Sequence, residues 1–178
     1  MKQIVLLRGI NLGSNRRIAM PALRELLSGA GLEDVRTYVQ SGNVVLSSDA
    51  ASGELARWCQ RLIAQRFGFD VEVVTRTRDE IAEIVRLDPL AQVTKNPKRY
   101  VVHFLSSEPD DGDVEKVAAL AKAKEQVLAI GRELYTWHPD GIGRSRLAAE
   151  LARRQALGAT VTARNWSTVT QLLAIADE

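Results

Sequence analysis

Val35-Arg36-Thr37-Tyr38-Val39-Gln40-Ser41-Gly42-Asn43-Val44-Val45-Leu46 is the stretch whose reading decides the fold. Val35, Thr37 and Val39 alternate with Arg36, Tyr38 and Gln40, the period of a half-buried strand. Ser41-Gly42 is a turn signal, and Asn43 to Leu46 begins another strand, so the two should pair as a hairpin. Upstream, Met20, Leu23, Leu26, Leu27 and Ala30 recur at helical spacing, with Pro21 at the start and Gly31 at the close. Before them, Ile4 to Leu7 is continuously apolar, as a central strand should be. Downstream, Leu55, Cys59, Leu62, Ile63 and Phe67 form a second helical stripe that stops at Gly68, and Val71 to Thr75 reads as a fourth strand. The hairpin between two strand–helix pairs gives the order β-α-β-β-α-β, the split, ferredoxin-like arrangement.

The same order returns in the second half. Thr77-Arg78-Asp79-Glu80 is a capping box that opens a helix with Ile81, Ile84 and Val85 inward, ending before Asp88-Pro89. Leu90 to Arg99 reads as a linker. Tyr100 to Leu105 is a strand, and Asp113 should cap a helix bearing Val114, Val117, Leu120 and Ala121. Val127 to Ile130 and Leu134 to Trp137 are strands joined through Gly131-Arg132. Ser145 should cap a helix that closes at Gly158, Thr160 to Thr162 a short strand, and Asn165 the cap of a last helix. The expectation is an α+β chain of two tandem ferredoxin-like subdomains with antiparallel sheets, residues 1–88 (with an extra helix) and residues 89–178.

Composition narrows the partners. Apolar residues make up 46% and charged residues 26%, the proportions of a soluble globular protein. A net charge of +2 is too mild for a dedicated nucleic-acid binder. The single cysteine, Cys59, cannot form an internal disulfide, and its place on an apolar helix stripe marks it as a buried, inert thiol. The few apolar residues between Lys2 and Arg8 are too short for a signal peptide or a membrane span, so no membrane partner and a cytoplasmic location are expected.

Four polar motifs interrupt this pattern: Arg8-Gly9-Ile10-Asn11-Leu12-Gly13, Thr37-Tyr38-Val39-Gln40-Ser41-Gly42-Asn43, Asp140-Gly141-Ile142-Gly143-Arg144-Ser145, and Thr162-Ala163-Arg164-Asn165-Trp166-Ser167-Thr168-Val169. Together, and in this order, they resemble the bacterial family catalogued as domain of unknown function 1697, over nearly the whole chain. The resemblance implies two ferredoxin-like subdomains and supplies no activity, substrate or catalytic residue. Leu12-Gly13-Ser14 stands where that family often has a valine and paired glycines.

Topology predicts where these motifs meet. The first two strands of a β-α-β-β-α-β unit run the same way, so Arg8, Gly9, Asn11 and Gly13 should share a sheet end with Tyr38, Gln40, Ser41, Gly42 and Asn43. In the second half, Gly141, Gly143 and Ser145 should share an end with Arg164 and Asn165. Glycine turns, exposed amides and an arginine attract phosphate or carboxylate, so these two groups are the candidate ligand-binding residues. A structural reading competes with this one: the glycines serve tight turns, Ser145 and Asn165 cap helices, and the arginines pair with backbone carbonyls.

Catalytic signatures are sparse. His103 lies within a strand and reads as structural, whereas His138, beside Pro139-Asp140, is the better acid–base candidate. No serine, cysteine or acid stands at triad spacing, no metal-ligand cluster is evident, and the residues name no cofactor. The strands lack the exposed aromatics with which sheet-face RNA binders stack bases, although Arg16, Arg17 and Arg36 could hold nucleic-acid phosphates at an edge. Three functions stay open: a binding protein for a small anion (a nucleotide or phosphometabolite), an enzyme acting on a phosphorylated or carboxylated molecule with His138, Asp140 or Tyr38 assisting, and a nucleic-acid or protein interaction module. Oligomeric state is not legible.

Overall fold

The computed structural model describes residues 1–153 and 155–178. The chain divides into two units, Met1–Ile84 with Gln171–Glu178, and Val85–Thr170. Among the described residues the fold is α+β, with two four-stranded antiparallel sheets and six helices.

The first unit contains β1 (Lys2–Leu7), α1 (Met20–Gly29), β2 (Glu33–Tyr38), β3 (Asn43–Ser47), α2 (Ser52–Phe67), β4 (Val73–Thr77) and the start of α3 (Arg78–Leu87). Its sheet has the order β2-β3-β1-β4, which makes the continuously apolar β1 an interior strand. Val5, Leu7, Val44, Leu46 and Val73 pack with Leu23 and Leu27 of α1 and with Leu55, Cys59 and Ile63 of α2. That burial pushes the Cys59 thiol up to about 12. Gly68, at φ 81°, closes α2 with its amide on the Ala64 carbonyl at 3.0 Å, the left-handed helix end glycine favours.

The hairpin forms, with Tyr38 opposite Asn43 and Val44 opposite both Thr37 and Val5, but β2 ends at Tyr38: Val39, expected on the strand's apolar face, lies in the turn at φ 48° and is exposed. β4, however, begins two residues later than the apolar pattern indicates. Leu7, the last residue of β1, faces Val73, and Val71 is buried ahead of the pairing. The capping box is complete: the Thr77 amide donates to Glu80 at 2.8 Å, and the Glu80 amide donates to the Thr77 hydroxyl at 3.1 Å.

The second unit contains β5 (Tyr100–Leu105), α4 (Asp111–Ala118), β6 (Gln126–Ile130), β7 (Glu133–Trp137), α5 (Arg146–Leu151), β8 (Val161–Asn165) and the start of α6 (Trp166–Ala176). Its sheet order, β6-β7-β5-β8, repeats the first. Leu105, Leu134 and Val161 pack under Val117 of α4 and Leu147 and Leu151 of α5. Tyr100 stacks on Trp166 with ring centroids 4.5 Å apart.

Three boundaries differ from expectation here. α4 starts at Asp111, so Asp113 sits in its first turn and does not cap it. α5 ends at Leu151 and not at Gly158; Leu157 and Ala159 reach the core from the turns beyond it, and Arg154 of that span lies outside the described residues. β8 runs to Asn165, so Arg164 is inside the strand opposite Val102 and not beyond its tip.

Candidate functional site

The end of the first sheet gathers the motifs that topology predicted, and fixes them to one another. The Leu7 amide donates to the Gly42 carbonyl at 2.8 Å, joining the end of β1 to the hairpin turn. Asn11, at φ 55°, donates through Nδ2 to the Gln40 carbonyl (2.7 Å) and the Ile18 carbonyl (2.9 Å), while its Oδ1 accepts from the Ile18 amide (2.9 Å). Asn11 therefore buckles the loop after β1 to the hairpin. Asn43 is fully buried and donates to the Tyr38 carbonyl (3.0 Å) and the Ser41 hydroxyl (2.9 Å).

Gly42 has a steric reason of its own. At φ 86°, a Cβ there would lie 2.7 Å from Leu7 Cβ and 2.9 Å from Ile10 Cδ1. Arg8 pairs with Glu72 at 3.1 Å. The exposed Gly9 lends its carbonyl to Arg16, which also reaches the Asp70 carbonyl and lies over the Phe69 ring. Gly13 is exposed, and nothing stands within 4 Å of where its Cβ would be. Arg36 pairs with Glu178.

The second sheet has a different character. β7 and β8 both pair antiparallel with β5, so Trp137 and Asn165 finish at the same sheet end, opposite Tyr100 and Val101. Asn165 caps α6 by accepting from the Thr168 amide at 2.9 Å. Arg164 is buried among the strands and donates to the Thr162 hydroxyl (2.9 Å) and the Ala163 carbonyl (2.8 Å); burial pulls its guanidinium down to about 10.

On the helix-covered side of this sheet runs a chain of side-chain hydrogen bonds. His103 Nε2 meets Thr136 Oγ1 at 2.9 Å, and Thr136 Oγ1 meets His138 Nε2 at 2.8 Å. His138 Nδ1 meets Glu125 Oε2 at 2.6 Å, and the Ser145 hydroxyl donates to the same oxygen at 2.6 Å. Glu125 Oε1 accepts from the Lys122 amide at 3.1 Å. Ser145 also caps α5, accepting from the Ala148 amide at 3.0 Å.

The protons can be placed from the network. An ionised carboxylate only accepts, so His138 Nδ1 and Ser145 Oγ both donate to Glu125. His138 Nε2 then accepts from Thr136, and Thr136 accepts from His103 Nε2–H. His103 Nδ1, buried without a partner, is left as an unprotonated nitrogen. Burial, with a smaller contribution from His138, pulls His103 down to about 3. Burial opposes ionisation of Glu125, but the Ser145, His138 and Lys122 hydrogen bonds outweigh it and hold the carboxyl below its usual range.

Glu125 and Ser145 open onto a pocket of about 510 Å³, lined also by Arg99, Lys122, Pro139, Asp140, Gly141 and Arg144. Gly141, at φ 92°, turns the chain under it, its amide on the His138 carbonyl at 3.0 Å. Arg99 donates to the Pro139 carbonyl. Among the described residues, Lys122 and Arg144 have no ion-pair partner. Three cationic and two acidic residues thus line one opening.

The structure brings Gly141 and Ser145 together at this opening, with Asp140 on its wall and His138 buried behind Glu125. Gly143 lies in the same loop without lining it. Sequence reasoning missed Glu125, Thr136, Arg99 and Lys122 as members of the group. The signal was weak but present: Thr136 lies in β7 and His138 two residues on, just past its end, and His103 lies on the neighbouring strand.

Comparison with known proteins fits this fold without adding an activity. No curated protein matches the chain. A solved structure, that of conserved bacterial protein SP0830 from Streptococcus pneumoniae, superposes with a TM-score of 0.77 at 20% identity, covering 98% of both chains. Residues 1–135 match the family described as Protein of unknown function (DUF1697), and the chain belongs to that family.

Proposed function

We propose that both units are ferredoxin-like, and that the second carries a binding pocket for a small phosphorylated or carboxylated anion in a cytoplasmic protein. One observation carries this reading: Arg99, Lys122 and Arg144 line one pocket of about 510 Å³, and none of the three has an ion-pair partner among the described residues. That volume falls in the range of small-molecule sites. The polar end of the first sheet lends less support to ligand binding, because Asn11, Gly42 and Asn43 already have structural tasks. Edge binding of nucleic acid is weakened likewise, since Arg16 and Arg36 are engaged within the chain.

A ligand at about 100 times its Kd stabilises by about 2.7 kcal/mol, which for a chain of this size raises Tm by roughly 5–10 °C. A thermal-shift panel of inorganic phosphate, pyrophosphate, phosphorylated metabolites and nucleotides should contain such a compound, and Arg144→Ala should blunt its effect. A panel in which nothing moves Tm, or a response that Arg144→Ala leaves intact, overturns the proposal.

A further inference from the structure

We infer that the ligand of this pocket is a phosphate ester of a polyol, a sugar phosphate in chemical class. The inference rests on the reading of the pocket as an anion site and concerns what the anion is attached to.

The walls carry two kinds of polar group and lack a third. Arg99, Lys122 and Arg144 supply charge for a phosphate. Glu125 and Asp140 supply carboxylates, which a phosphate would avoid and a hydroxyl would seek. Glu125 is built for such a role. Its Oε2 is held by His138 and Ser145, and its Oε1 has one donor, the Lys122 amide. A carboxylate has about four lone-pair sites, so a further acceptor position is left on Oε1. The carboxyl is kept ionised and fixed in orientation by those three donors. This rigidity is what a hydrogen-bonding ligand group gains from, because the geometry is set before it arrives.

Size and texture agree. A pocket of about 510 Å³ is larger than one phosphate needs, so room is left for the ester group. Among the described residues no aromatic side chain lines it, and Pro139 and Gly141 are the only lining residues without a polar side chain. A nucleobase finds no ring to stack on there, whereas a hydroxylated chain or ring finds acceptors. Three cations against two carboxylates leave a small positive excess, suited to one phosphate and unsuited to a polyanion.

A hydrogen bond from a hydroxyl to a carboxylate is worth roughly tenfold or more in affinity. Calorimetric titration of the full chain with ribose 5-phosphate, inorganic phosphate, AMP and free ribose tests this directly. Ribose 5-phosphate should bind roughly tenfold tighter than inorganic phosphate and at least as tightly as AMP, and ribose alone should bind far more weakly. Glu125→Gln should bring the ratio of ribose 5-phosphate to inorganic phosphate affinity towards one. Asp140→Asn, at an exposed position that leaves the hydrogen-bond chain intact, should lower the same ratio and guards against a Glu125 variant that misfolds. Equal affinity for ribose 5-phosphate and inorganic phosphate, or tighter binding of AMP, overturns the polyol inference and leaves the anion site standing. Absence of binding by every phosphate compound overturns both.

Discussion

Lowering the pH should drain stability from this protein through one residue, His103. Its ring is buried at 4% exposure, and its folded value near 3 compares with 6.5 for an unhindered histidine. The folded state therefore binds the proton far more weakly than the unfolded chain does. The stability linked to this ring is complete above the unfolded value and drains as pH falls from 6.5 towards 3. Between about pH 7.5 and about pH 5 the unfolded chain takes up almost a full proton and the folded chain almost none, a loss of about 2 kcal/mol. Glu125 adds little in that window, because a carboxylate held below its usual range gives up its share only in stronger acid. Urea unfolding followed by circular dichroism at a series of pH values gives the slope. His103→Gln isolates the residue: its amide can still donate to Thr136, and it does not titrate. The wild-type curve should fall by about 2 kcal/mol more than the His103→Gln curve across the window. Parallel curves would refute the reasoning, because the proton would then be going elsewhere.

The first sheet and the core give further expectations. Gly42→Ala adds a Cβ 2.7 Å from Leu7 Cβ at a positive φ, so overpacking and left-handed strain together should cost about 2–4 kcal/mol in chemical denaturation; a neutral result would mean the hairpin yields freely. Asn11→Ala removes three hydrogen bonds and should cost about 2–3 kcal/mol, with faster amide exchange at Ile18, whereas a variant that loses no stability would mean that Asn11 is held for something other than the loop. Cys59, buried and pushed up to about 12, should resist iodoacetamide in the native protein and react fully once guanidinium unfolds it; rapid native labelling would contradict its placement.

Much of the fold was legible because local signals agreed with each other. The alternation from Val35 to Tyr38, the Ser41-Gly42 turn, the Thr77–Glu80 box and the glycine at position 68 each say one thing, although the alternation runs on to Val39, which the turn takes. The signal failed where tertiary contacts override local pattern. Val71 looks like strand because it is apolar, yet pairing waits for Val73, which Leu7 faces. The span up to Gly158 reads as helix because a glycine closes it, yet α5 ends at Leu151 and Leu157 reaches the core from a turn. Only part of the proposed pocket was legible. Motif reading located the loop from Asp140 to Ser145 and favoured His138 over His103. It could not see Glu125, which lies in a bend between α4 and β6 and gains its meaning only from partners 13 and 20 residues away. The arginines show the opposite case. Arg8 and Arg164 attract attention as charges at strand ends, but the fold engages Arg8 with Glu72 and buries Arg164 among strand hydroxyls and carbonyls.

If the pocket beside Glu125 and not the loop after β1 recognises the anion, as proposed, the two regions respond differently to phosphate. Amide-resolved NMR titration of the full chain with inorganic phosphate separates the two most directly. The account predicts saturable shifts at Lys122, Glu125, Gly141, Arg144 and Ser145, with Gly9, Asn11 and Gln40 unmoved. Shifts centred on Gly9 to Gly13 and Gln40 to Asn43, or no shifts in either group at high phosphate, would contradict it.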